Sequence, residues 1–139
     1  FLFGVSIQDA TQKDLPFAGV TRDRPMANAP DFTFNGLGRY EWPIFNGNVA
    51  AQMDFSYVDD RSVNGIDHPG LQEDSYLIAN ARLSYATEDG KWEASLWVKN
   101  FTDEDYVATS FDLSTFVGTE ITVPNPPRWF GGSVRYNFF

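Results

Sequence analysis

The chain has no cysteine and a single histidine, His68, among its 139 residues. A disulfide framework and a thiolate metal site are therefore excluded, and a lone His in Asp67-His68-Pro69-Gly70 has no second His or Cys to complete a zinc site or a catalytic relay. Basic charge is scarce: ten Lys and Arg stand against nineteen Asp and Glu, a net charge of −9. That balance argues against nucleic acid, whose phosphates need a basic stripe. No apolar run approaches the roughly 18 residues of a transmembrane helix, so a membrane role would have to use strands. No P-loop, Gly-rich dinucleotide turn or nucleophile elbow occurs, and the chain is expected to be neither an enzyme nor a cofactor carrier. It opens Phe1-Leu2-Phe3-Gly4, with no initiator Met and no charged leader. Together with the strand pattern below, that opening predicts the C-terminal part of an exported protein.

Aromatic residues are abundant at 17%, with thirteen Phe, six Tyr and four Trp, yet the chain is hydrophilic on average. Alternating strands produce that combination when an apolar and a polar face share the residues equally. The closing stretch Pro127–Phe139 shows it most clearly: Phe130, Gly132, Val134, Tyr136 and Phe138 share one parity, Trp129, Gly131, Ser133, Arg135 and Asn137 the other. In water, a strand ending in exposed Tyr-x-Phe-Phe would invite aggregation. It is at home where lipid covers the aromatic face and a polar interior takes the arginine.

The same period recurs along the chain. Residues 1–8 read as the end of a strand with Phe1, Phe3, Val5 and Ile7 on one side. Full strands are predicted over 31–42, 47–58, 76–86, 91–99 and 127–139, each roughly ten to twelve residues long, enough to cross the apolar band at a tilt of about 45°. Pro43-Ile44-Phe45-Asn46-Gly47 is predicted as a hairpin turn carried by Asn-Gly, and Thr87–Gly90 as a second short turn. Residues 9–30, 59–74 and 100–126 read as long loops. Connections thus alternate long and short, with the long ones extracellular and the short ones periplasmic in an outer-membrane barrel. Trp42, Tyr85, Trp92, Tyr136 and Phe138 form a predicted girdle at the turn side, and Phe55, Tyr57, Tyr76 and Phe130 one at the loop side.

The opposite parity is the predicted lumen. It carries Arg39, Arg82, Lys99 and Arg135, with the large aromatic Trp97 among them, and these are candidates for contact with a bound solute or a plug domain, as are Asp60 and Phe111 on the loops. The runs Asp59-Asp60 and Asp103-Glu104-Asp105 supply oxygen ligands for Ca²⁺ but lack the spacing of an EF-hand, so solvated loop charge is expected. The alternative architecture is a soluble β-sandwich binding module with acidic, calcium-holding loops and aromatics stacked on sugar. Its turns recur every 8–12 residues and rarely alternate long with short.

Asn28-Ala29-Pro30 before an aromatic strand, Ala81-Arg82-Leu83-Ser84-Tyr85 before a short Asp-Gly turn, and Asn100-Phe101-Thr102-Asp103-Glu104-Asp105-Tyr106 together resemble TonB-dependent outer-membrane receptors. The third element is similar to that family's N-L-T-D-x-x-Y, with Phe101 for Leu. Pro127-Arg128-Trp129-Phe130-Gly131 with Arg135-Tyr136-Asn137-Phe138 resembles its closing strand. The resemblance implies an all-β antiparallel meander, the last six or so strands of a barrel of about 22 strands with a plugged lumen. It implies a Gram-negative outer membrane as the location and energy-coupled uptake of a scarce nutrient such as a siderophore, cobalamin or oligosaccharide. The implied partners are the lipid bilayer, a TonB-type energy-transducing protein acting through a plug this chain does not contain, the barrel-assembly machinery and the small-molecule nutrient. Gly132, Tyr136 and Phe138 are the implied assembly signal, with Phe139 one residue beyond its register.

Overall fold

Six strands hydrogen-bond into one antiparallel sheet, side by side in the order in which they occur along the chain. They are β1 (Leu2–Ile7), β4 (Phe32–Ile44), β5 (Gly47–Val58), β8 (Tyr76–Thr87), β9 (Trp92–Lys99) and β12 (Trp129–Tyr136). The computed structural model describes residues 1–17, 20–63, 72–113 and 117–138; His68, Asp67 and Phe139 lie outside them. Each strand pairs with the next of the six along the chain, so the sheet is a meander. Its ladders carry no register shift, and every face assignment made in one strand therefore passes to the next. One such line runs Gly38, Met53, Ala81, Val98, Phe130 and the adjacent one Arg39, Gln52, Arg82, Trp97, Gly131.

The two faces differ completely in charge. The six strands contain seven charged residues, Arg39, Glu41, Asp54, Arg82, Glu93, Lys99 and Arg135, and all seven fall on one face. The other face is apolar and uncovered: Tyr40, Leu83, Leu96, Phe130 and Val134 are exposed, at 69%, 49%, 68%, 83% and 71%. Its middle dips over Gly38, Ala51 and Ala81 into a groove of about 830 Å3 walled by Phe1, Phe3, Tyr40, Phe55 and Leu83. Every substantial contact between elements is between hydrogen-bonded neighbours. The described residues therefore form one layer, not the two packed sheets of a sandwich.

Because all neighbours are antiparallel, the short turns after β4 and β8 share one end of the sheet, and the strand ends Ile7 and Phe32, Val58 and Tyr76, and Lys99 and Trp129, between which the long connections run, share the other. The long connections are not irregular throughout, as the sequence suggested. β2 (Thr11–Phe17) pairs with β3 (Val20–Pro25), β6 (Arg61–Ser62) with β7 (Gln72–Glu73), and β10 (Val107–Asp112) with β11 (Glu120–Pro124). Backbone N–H and C=O groups in long excursions need partners, and folding back as a ladder supplies them.

The first hairpin also corrects the sequence reading. Its turn residues are Phe45 and Asn46, and Gly47 is already paired with Ile44. Phe45 has a φ of 53°, a conformation that costs an L-residue about 1–2 kcal/mol. Gly47 serves close packing instead: a Cβ there would collide with the Ala86 carbonyl and the Tyr85 ring. Pro43 lies within β4, where β1 no longer pairs on that side, so its missing N–H removes no bond from the sheet.

Candidate functional site

Register places four of the predicted lumen residues together. Arg39, Arg82 and Trp97 share one row with Gln52 between the two arginines, and Arg135 stands opposite Glu93 two rows farther toward the turns on the same face. Arg39 donates from Nε to Glu41 Oε1 at 2.7 Å and from Nη1 to Gln52 at 3.5 Å. Glu93 is shared: Oε1 accepts Arg82 at 3.4 Å and Oε2 accepts Arg135 at 3.5 Å. Two cations on one carboxylate leave this patch positive in a chain whose net charge is −9. The side chains are exposed, so each pair contributes only about 0–1 kcal/mol.

Trp97 lies over Gly131, close enough that a Cβ there would collide with its indole. It meets Trp129 edge to face, ring centroids 4.6 Å apart at 79°. Lys99 is cross-strand from Trp129 and makes no ion pair among the described residues. An aromatic ledge with cations along one side can hold a polypeptide segment or a polar solute through stacking and hydrogen bonds. Asp60 and Phe111 are exposed on the loop side, outside this row. Among the described residues no cluster of three His, Cys, Asp or Glu is placed to hold a metal. The Asp59 carboxylate accepts the Tyr57 hydroxyl and the Asp60 N–H, and Asp103 pairs with Arg128 at 2.9 Å.

Gly132 stands opposite Leu96 at mid-strand; at the turn end Tyr136 tilts against Trp92 at 4.6 Å, and Phe138 stands edge-on to Tyr136 at 4.9 Å. Asn137 ties this end to the second turn through Lys91 O and Gly90 O, both at 2.8 Å. In that turn, hydrogen bonds from the Thr87 hydroxyl and then the Lys91 N–H hold the Asp89 carboxyl below its usual value.

The loop end holds a cluster that sequence reasoning missed. Arg61 is 9% exposed and donates to Asn28 Oδ1 at 3.2 Å, the Tyr76 hydroxyl at 2.7 Å and the Val107 carbonyl at 3.5 Å. Its guanidinium also sits 5.1 Å from the Tyr76 ring centre. Tyr76 stacks on Tyr106 at 4.1 Å. This corrects the girdle assignment of Tyr76, which is buried among loop residues on the polar-face parity. Burial first, then proximity to Tyr76, raises the Tyr106 pKa, against the opposing pull of Arg61.

Asn100 shows what the Asn-Phe-Thr-Asp-x-x-Tyr element does locally. Its φ is 51°, and its amide accepts the Glu104 N–H at 3.0 Å and the Thr102 hydroxyl at 3.2 Å while donating to Glu104 O at 2.8 Å. Its own N–H donates to Asn80 Oδ1, and Asn80 in turn donates to Asp54 at 2.6 Å. Asn125 closes the other side by accepting the Tyr106 N–H and donating to Glu104 O, both at 3.1 Å. These bonds fix the segment that carries Tyr106 onto Tyr76. No family model matches the chain, and no solved structure matches it.

Proposed function

We propose that this chain is a stretch of a transmembrane β-barrel wall in the outer membrane of a Gram-negative bacterium, part of a receptor for energy-coupled uptake of a scarce nutrient. The observation that carries this reading is the segregation of all seven strand charges onto one face of a single-layer sheet whose other face exposes its large apolar side chains. Exposing such a face to water is unfavourable by about 25 cal/mol per Å², and lipid removes that cost without a second protein layer. Strand length fits as well: β5 and β8 have 12 residues each, which at about 3.4 Å per residue and a tilt of about 45° gives a height near that of the hydrocarbon core. Both edge strands, β1 and β12, would pair with further strands of a larger barrel.

On this reading the chain performs no chemistry. The loops receive the solute, and the Arg39–Arg82–Trp97 row with Lys99 and Arg135 meets a plug domain. A TonB-type partner supplies energy through that plug, and the assembly machinery engages β12 through Gly132, Tyr136 and Phe138. The transport part of the reading rests on the resemblance of the Asn100–Tyr106 element and the closing strand.

The four tryptophans provide the test, because Trp42 and Trp92 lie on the apolar face and Trp97 and Trp129 on the polar one. In single-tryptophan variants folded into vesicles, lipids brominated on their acyl chains should quench Trp42 and Trp92. Trp97 and Trp129 should respond instead to a water-soluble quencher. Equal acyl-chain quenching of both pairs would refute the lipid assignment.

A further inference from the structure

We infer that Arg61 is a shared tether that makes the roots of the three long connections part and rejoin as one unit. The geometry is unusual for a buried arginine. Among the described residues no carboxylate pairs with it, and its partners are neutral groups from three separate stretches of chain. Asn28 ends the first long connection, Tyr76 begins the strand after the second, and Val107 belongs to the third. Arg61 itself stands at the start of the second. The first and second are further joined by the Asn28 N–H on Ser62 O at 2.8 Å and the Asn28 amide on Val63 O at 3.1 Å. The third is held by the Tyr106–Tyr76 stack.

A buried guanidinium that loses an acceptor without gaining water is strongly disfavoured. Lifting any one root off the cluster therefore strips a bond from the group the other two also use. Separation of all three, with full hydration of Arg61, becomes the competing state, and partial openings are suppressed. The planar fork is what permits this, since three donors leave it in fixed directions toward three acceptors. A lysine keeps the charge but cannot span them. The coupling holds whether or not the apolar face meets lipid. If the loop end receives a solute as proposed above, a pull on one root would be felt at the other two.

Amide hydrogen exchange on the full chain tests this. Asn125→Ala loosens the third root without touching Arg61, because among the described residues the Asn125 side chain bonds to Glu104, Tyr106 and Pro126 alone. With Arg61 present, it should raise exchange about tenfold or more at 26–30 and 60–63 as well as at 104–110, as loss of a shared charged hydrogen bond implies. In an Arg61→Lys background, adding Asn125→Ala should raise exchange at 104–110 alone. Tyr76→Phe, which removes one bond and keeps the ring, should weaken the transmission without abolishing it. Exchange confined to 104–110 in the Asn125→Ala protein with Arg61 intact would overturn the inference, and so would undiminished transmission in the Lys background.

Discussion

Met53 and Gln52 are consecutive residues of β5, and arginine at each should have very different consequences. Met53 lies at the middle of a strand of 12 residues, flanked across the sheet by Gly38 and Ala81 and 48% exposed. On the proposed reading its side chain meets lipid near the bilayer midplane, where arginine costs about 2–4 kcal/mol. No carboxylate is available on that face to offset the charge, since all seven strand charges are on the other. Gln52 faces the polar side but stands directly between Arg39 and Arg82. A third cation there meets like charges from both neighbours and costs about 0.2–1 kcal/mol. Polar-face Ser56, opposite Asn35 and Ile78, is the cleaner control, and Ser56→Arg should be close to neutral. Folding titrations into lipid vesicles with denaturant read the three differences directly. Met53→Arg should stand out by more than about 1 kcal/mol from the other two. If Met53→Arg and Ser56→Arg were equally costly, the faces would be misassigned or the apolar face would not meet hydrocarbon.

The faces were legible in the sequence because side-chain direction has a period of two and no bulge interrupts the main ladders. Phe34, Met53 and Leu96 on one side, and Arg39, Arg82 and Trp97 on the other, follow from counting alone. Register was less legible. Alternation forbids a slip of one residue, which would turn every side chain over, but it tolerates a slip of two. A two-residue turn centred on Asn46-Gly47, the pair that signals the hairpin, would be such a slip and would set Asp59 opposite Phe34 in place of Tyr57. The observed pairing keeps Tyr57 there and lays the Phe55 ring over Gly36, so aromatic packing outweighed turn preference at Phe45. The sharing of Glu93 by Arg82 and Arg135 was hidden for the same reason, because it depends on register across three strands. Least legible was the Arg61 cluster. Its bonds join residues 33, 15 and 46 apart, and no local period announces an arginine that will be buried. The sequence did point to the Asn100–Tyr106 element, but only as a pattern; its hydrogen bonds supply the reason for each residue.

The first hairpin gives a paired expectation. Gly47→Ala should destabilise the protein, because the collision is with a backbone carbonyl that cannot turn aside, whereas Phe45→Gly should be neutral or stabilising by up to about 1 kcal/mol through relief of its positive φ; denaturant midpoints at constant slope would show both. Arg128→Gln should change stability by less than about 1 kcal/mol, since its pair with Asp103 is half exposed, and a larger loss would mean that this pair secures the third loop. Tyr106 gives the pH dependence. Burial raises its pKa above the ordinary 10.0, so the folded state favours the neutral phenol. The stability this contributes is fully present below pH 10 and is lost as pH rises through the raised value, where the chain gains by unfolding and ionising a hydrated tyrosine. Alkaline titration followed by phenolate absorbance should therefore show Tyr106 ionising above pH 10. The loosening of the loop end should accompany it, and Tyr106→Phe should remove that step while leaving the acid limb unchanged. Ionisation of Tyr106 below pH 10 would mean that the Arg61 charge, not burial, dominates its surroundings, and the cluster would then have to be far wetter than its geometry indicates.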